Sequence, residues 1–293
     1  ATPGLAQAHH VALGIQESGT AQWEIETIRR YGLDKKHELS LRLRPLADSR
    51  AGQIALQTGT VDVILSDFVW VSIQRHQGNS VAIVPHSLAV GGIIVPVDSR
   101  IDRIEELAGK TIGIAGGPVD KSWVILQAYY ASLTGSALAE RVEARFGAPP
   151  LINELLASGG ADAALNFWHW NARAKAAGNV ELMSVKEMFA GLGLEEPPPL
   201  LGWAFMQGTA DDRPEALRAF LDASFDAKQV LLTDDAAWEP LRELMGAADD
   251  QALFEQLRDD YRAGIVTGYD AGNMGAAEAA FMLMATYGGA DLV

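Results

Sequence analysis

The stretch from Thr111 to Tyr130 constrains the fold more than any other. Thr111 to Ala115 (TIGIA) is a short apolar run suited to a buried strand, Gly116-Gly117-Pro118 supplies a tight turn, and from Lys121 to Tyr130 apolar side chains recur at helical spacing. Strand, glycine turn and helix in that order imply a parallel α/β layer, in which the helix start points unpaired N–H groups out of the carboxyl end of the sheet. Lys121-Ser122 looks like the end of a nucleotide phosphate loop. That loop needs glycine directly before the lysine, whereas Asp120 stands there and Pro118 has no N–H, which argues against nucleotide hydrolysis. The turn suits contact with a small ligand through Asp120, Lys121 and Ser122.

The same unit recurs along the chain. His10 to Ile15 reads as a strand, Gln16 to Thr20 as a polar turn, and Ala21 to Tyr31 as a helix closed by Gly32. Leu39 to Pro45 alternates as a strand with one solvated face. A helix over Ser49 to Gln57, a buried strand over Val61 to Leu65 that runs into Ser66 to Trp70, and a strand over Val81 to His86 complete a parallel α/β lobe. Leu88 to Val95 reads as one more strand, interrupted by Gly91-Gly92, where glycine signals a bend or a close backbone approach.

The rhythm restarts after Val95 to Asp98, so a second lobe is expected. It holds the Thr111 unit, a strand or irregular piece over Ala139 to Phe146, a helix over Pro150 to Gly159, and a strand over Ala161 to Phe167. A helical tail over Asn171 to Ala177, a strand over Val180 to Val185 and a proline-rich loop over Leu192 to Pro199 follow. Leu201 to Met206 reads as a return strand, and helices are expected over Arg213 to Leu232, Ala236 to Met245, Gln251 to Gly264 and Met274 to Tyr287. The expected division is residues 1–96 plus 203–293 for the first lobe with C-terminal wrapping helices, and 97–202 for the second.

Composition narrows the function. Thirty-eight acidic against 23 basic residues give a formal charge of −15, which argues against nucleic acid or an anionic membrane as partner. Residues 211–263 alone carry 14 acidic and 6 basic side chains, as solvated wrapping helices would. With no cysteine there are no disulfides, thiolate metal sites or thiol nucleophiles. No apolar run is long enough to span a bilayer. Ala1 in place of Met is what a chain with its export signal removed would look like. There is no H-E-x-x-H, no G-x-S-x-G, and no zinc-triad spacing among the six histidines, so the chain is not expected to be an enzyme or to hold a metal or cofactor.

Ala55 to Asp67 (ALQTGTVDVILSD), Ile104 to Ile114 (IEELAGKTIGI), the turn at Gly116, and Gly160 to Ala164 (GADAA) resemble, in this order and spacing, the solute-binding proteins of bacterial ABC importers. The branch is the one that serves sulfonates, taurine, nitrate and the pyrimidine precursor of thiamine. The resemblance implies a periplasmic, monomeric protein with a two-lobed fold of type II kind. Its ligand would lie in the interlobe cleft, and its partners would be the membrane permease and ATPase of the importer. It places cleft positions at Gln16, Glu17 and Ser18, at Ser66, Asp67 and Trp70, at Gly91, at Gly117 and Asp120 to Ser122, and at Asn166, Trp168 and His169.

Trp70, Trp123, Trp168, Trp170 and Trp203 all stand near element boundaries, more aromatic surface than an inorganic ion requires. A flat conjugated ligand is therefore expected. Lys121 and Arg173, then His169, with Arg50 outside, are the basic groups available for an anionic one. Aromatic sulfonates, a heteroaromatic vitamin precursor and a carboxylated quinone cofactor such as PQQ all fit. Two alternatives stand beside this reading: an accessory protein that docks on, or delivers a cofactor to, a periplasmic dehydrogenase, and an enzyme of pyrimidine-precursor type.

Overall fold

The structure, a computed structural model, describes residues 8–194, 198–268 and 271–287. The chain runs β1 (His9–Gln16), α1 (Ala21–Arg30), α2 (Leu33–Lys36), β2 (Leu39–Leu46), α3 (Ser49–Gln57), β3 (Val63–Asp67), α4 (Phe68–His76) and β4 (Val81–Ser87). It continues with β5 (Gly92–Val95), β6 (Thr111–Ala115), α5 (Lys121–Thr134), β7 (Glu143–Gly147), α6 (Pro149–Ala157), β8 (Ala163–Asn166), α7 (Trp168–Ala176), β9 (Val180–Ser184) and α8 (Val185–Gly191). Then come β10 (Leu201–Met206), α9 (Gln207–Asp212), α10 (Pro214–Thr233), α11 (Gln251–Ala263) and α12 (Ala271–Tyr287).

Two sheets of five strands result, in the orders β2-β1-β3-β10-β4 and β7-β6-β8-β5-β9. The two orders correspond strand for strand. In the first, β1 is parallel to β2 and β3, while β10 lies antiparallel between β3 and β4. In the second, β6 is parallel to β7 and β8, while β5 lies antiparallel between β8 and β9. Each sheet thus receives its antiparallel strand from the segment that has just crossed from the other lobe, giving the two-lobed, type II binding-protein fold.

Several features differ from the sequence reading. The strand at 92–95, assigned above to the first lobe, pairs in the second sheet, so the first crossing lies at Leu88 to Gly91 rather than near 95–98. The C-terminal helices do not all wrap the first lobe. Helix α10 packs on α1 and β1, but α11 packs on α7, and α12 packs on α5, with Ala280 and Met284 entering the core of the second lobe. Finally, α8 was not anticipated, and Ala236 to Met245 is not a continuous helix but contains two 3₁₀ turns, Asp235–Ala237 and Glu239–Leu241. In the expected loop 192–199, residues 195–197 lie outside the described residues, as do residues 1–7 of the expected loose start.

Side-chain caps fix the starts of several helices, though not those of α1, α6, α7 or α10. Asp48 accepts from Ala51 N, Asp67 from Trp70 N and Asp120 from Ser122 N, and Ser184 with Glu187 forms a reciprocal capping box at α8. The apolar face of α1 (Trp23, Ile25, Ile28) is buried, as the spacing requires.

Gly91 shows why the first crossing needs glycine. A Cβ there would stand 1.7 Å from the carbonyl oxygen of Asn166, at the end of β8. Nothing can yield there but backbone. Gly91→Ala should therefore lose about 3 kcal/mol or more in urea unfolding followed by circular dichroism. Gly117→Ala, whose Cβ would meet no atom within 4 Å, should stay within about 0.5 kcal/mol of the parent in the same experiment.

Candidate functional site

Four strand-to-helix turns face one another between the lobes: β1 to α1 and β3 to α4 from the first, β6 to α5 and β8 to α7 from the second. At one end stands Asp67, whose Oδ1 accepts from Trp70 N at 2.9 Å. Opposite it, Lys121 is 6% exposed, with Nζ 3.6 Å from Asp120 Oδ2 and 4.9 Å above the Phe167 ring. Burial pushes the Asp67 carboxyl up, the Lys121 charge across the lobes pulls it down, and Asp120 pushes it up again.

From Phe167 an aromatic wall runs along the interface. The ring centroids of Phe167 and His169 are 6.4 Å apart, His169 and Trp168 5.4 Å, and His169 and Trp170 6.0 Å. Trp168 meets Trp23 of the first lobe edge-on at 5.9 Å, and Tyr261 of α11 touches both. His169 Nε2 lies 3.2 Å from the carbonyl oxygen of Ser18, also across the lobes. A carbonyl only accepts, so Nε2 carries the proton and Nδ1 the lone pair, and Nδ1 is buried without a partner. Burial and the Arg173 charge bring the His169 pKa down to about 3, against the Ser18 bond, so the ring is neutral at ordinary pH. The Trp170 indole N–H is likewise buried and unpaired.

The remaining expected site residues divide. Trp70, Trp123 and Trp203 are core rings within single lobes, whereas Trp23 and Trp168 are core rings of the cluster with Trp238 and Tyr261 where the lobes meet. Asn166 is buried as a clamp, with Nδ2 donating to Pro149 O and Asn153 Oδ1 and Oδ1 accepting from Phe167 N. Arg173 is committed to His169 O and Met245 O and lies over the Trp170 ring at 5.0 Å. Gln16 donates to Ser49 Oγ at 3.0 Å, Glu17 is exposed, and Ser66 and Ser122 are buried beside Asp67 and Lys121 in the chain. Arg50 is exposed. Among the described residues no group of three or more side chains is arranged to hold a metal.

Sequence reasoning missed Trp23 and Tyr261 in the wall, and behind them a buried polar cluster. Glu24 is 0% exposed and accepts from Ser224 Oγ at 2.5 Å, and it lies 3.9 Å from Lys228 Nζ and 3.7 Å from His86 Nδ1. The Trp203 N–H also donates to Ser224 Oγ, at 2.9 Å. Burial raises the Glu24 carboxyl against the pull of Lys228, and lowers Lys228 against that of Glu24. Burial and the Lys228 charge hold His86 well below the usual imidazole range.

The family model described as NMT1/THI5 like matches residues 32–236, which is 205 of the 293 residues. The chain belongs to the NMT1/THI5-like family. No curated protein sequence matches it significantly. Among solved structures, the alkanesulfonate-binding protein SsuA from Xanthomonas axonopodis pv. citri bound to MOPS superposes with a TM-score of 0.77 at 16% identity, covering 97% of this chain and 94% of that one. The periplasmic aliphatic sulphonate binding protein SsuA from Escherichia coli gives 0.72 at 14%, covering 95% and 86%. The desulfurization enzyme DSZB gives 0.60 at 15%, covering 97% and 93%. At such identities the likeness is one of fold, and this NMT1/THI5-like protein shares that fold with binding proteins and an enzyme alike.

The two buried neutral imidazoles give a pH dependence. Unfolded, both titrate near 6.5; folded, both are depressed, so stability is complete above that pH and is lost as protons bind the unfolded chain below it. From pH 7 to 5.5 the pair should cost about 2.5 kcal/mol of unfolding free energy in urea titrations, and His169→Phe should remove about half of that slope. Glu24 and Asp67, raised by burial, act in the opposite sense, gaining stability as pH falls through their raised folded values.

Proposed function

We propose that this NMT1/THI5-like protein is the periplasmic solute-binding component of an ABC importer, a monomer that takes a small organic molecule with a flat conjugated ring into the interlobe cleft and presents it to a permease and ATPase. The observation that carries the reading is the wall formed by Trp23 from one lobe and Trp168, His169 and Trp170 from the other. Trp23 and Trp168 meet edge-on and buried here, so a planar ligand would stack on them once the lobes part, each such contact being worth about 0.5–1.5 kcal/mol beyond the area buried. Family membership and the fold of the sulfonate-binding proteins support a receptor. Aromatic sulfonates, pyrimidine precursors and carboxylated quinones are the chemistries to compare.

A thermal-shift plate of such rings, read together with tryptophan emission, tests this. A ligand that binds the folded state alone raises the melting temperature by mass action, and one that reaches the wall changes the emission. Trp168→Ala should weaken the bound ring by about five- to tenfold in calorimetry, whereas Trp123→Phe, in the second lobe's core, should leave its affinity within about twofold. Turnover of any ring without a partner protein would sink the receptor reading in favour of an enzyme.

A further inference from the structure

The charges and unpaired atoms of the cleft say what kind of ring it selects. Of the four helix starts in the cleft, those of α1 and α7 carry no side-chain cap, while those of α4 and α5 are occupied by carboxylates of the chain itself, Asp67 and Asp120. The one ammonium between them, Lys121, lies 3.6 Å from Asp120 and acts on Asp67 across the lobes. Arg173 is bonded to two backbone carbonyls and His169 is uncharged. At the α4 and α5 end of the cleft two carboxylates thus face one ammonium, which disfavours a sulfonate or carboxylate placed between them. The wall offers instead an imidazole lone pair, His169 Nδ1, on a side chain 6% exposed that reaches the opposite lobe through its other nitrogen. It also offers aromatic faces, whose electron-rich centres attract positive charge.

Resting on the receptor reading above, we propose that the cleft selects a ring that bears N–H donors and is neutral or positively charged, such as an amidine or amine, with His169 Nδ1 accepting one hydrogen bond and the Asp67 carboxylate facing the charge. The anionic character expected from the sequence does not belong to this proposal. His169 is then a specificity-determining acceptor, not a cation that holds an acid group. The Trp170 N–H, also buried and unpaired, provides a donor for a ring acceptor.

Benzamidine, benzamide and benzenesulfonate have the same ring with positive, zero and negative charge, and serve as probes on the full chain in calorimetry and thermal shift. Benzamidine is expected to bind most tightly, benzamide more weakly, and benzenesulfonate not at all. Asp67→Asn keeps a side chain able to cap α4 and removes the charge; it should weaken benzamidine about tenfold and leave benzamide within about twofold. His169→Phe keeps a ring in the wall and removes the acceptor; it should weaken both by about fivefold or more, and His169→Asn, which restores an acceptor, should recover part of the loss. Benzenesulfonate binding more tightly than benzamidine overturns the proposal while leaving the receptor reading intact, as does an Asp67→Asn protein with unchanged benzamidine affinity. Binding of none of the three overturns it, and a silent plate of larger rings would then remove the receptor reading too.

Discussion

Each sheet is completed by a strand that the chain delivers only after crossing from the other lobe. Strand β5 enters antiparallel between β8 and β9, and β10 enters antiparallel between β3 and β4. Because both exchanged strands sit inside their sheets, neither lobe can form its full hydrogen-bonded ladder without the crossings in place. The crossings then hold the carboxyl ends of the two parallel sets facing each other, and with them the four helix starts of the cleft. Gly91 marks the tightest point, where backbone meets the end of β8 with no room for a side chain.

The crossings are anchored from behind. His86 lies next to the end of β4, and its ring lies 4.8 Å from that of Trp203 on β10, so the outgoing and returning strands meet at one buried contact. Glu24, Ser224 and Lys228 tie that contact to α1 and α10. A third segment joins them, since Leu88 N donates to Gly264 O at 2.8 Å and Ile265 bridges to Ser87 just before the chain proceeds to α12 on the second lobe. A buried ion pair such as Glu24 with Lys228 is weak evidence of net stability, because removing both charges from water offsets their attraction. Its arrangement at the root of all three connections makes positional specificity the better account of its presence.

Much of this was legible in the sequence, and the exceptions have physical causes. The expected strand at 111–115 coincides with β6 and the helix at 49–57 with α3, because period and punctuation agree there. The sheet to which β5 belongs was not legible, since a short apolar strand has the same local pattern in either lobe and only its partners decide. Ser184 and Glu187 stand at capping-box spacing ahead of α8, but the apolar run after them is too short to mark a helix by its period. Lys228 could have been placed inside: residues 220, 224, 227 and 231 form a buried stripe on α10 that passes through it. Tryptophan counts, by contrast, cannot separate Trp123, buried within the second lobe, from Trp168, buried where the lobes meet, because both follow a strand-to-helix turn.

The placement of the wall also bears on how binding and lobe closure are linked. Trp23 and Ser18 come from one lobe and Trp168 and His169 from the other, so a ligand that touches both sets makes its full contacts only when the lobes meet. A ligand shifts such an equilibrium only by its difference in affinity for the two states. Contacts confined to one lobe add to affinity in both states and close nothing. Rings and acceptors shared between lobes have the opposite character, and moving the equilibrium from about 1:99 to 99:1 takes roughly 5.5 kcal/mol of such differential contact. Stacking at about 0.5–1.5 kcal/mol per ring and a charge-assisted bond at about 1.5–3 kcal/mol reach that sum only if several act together.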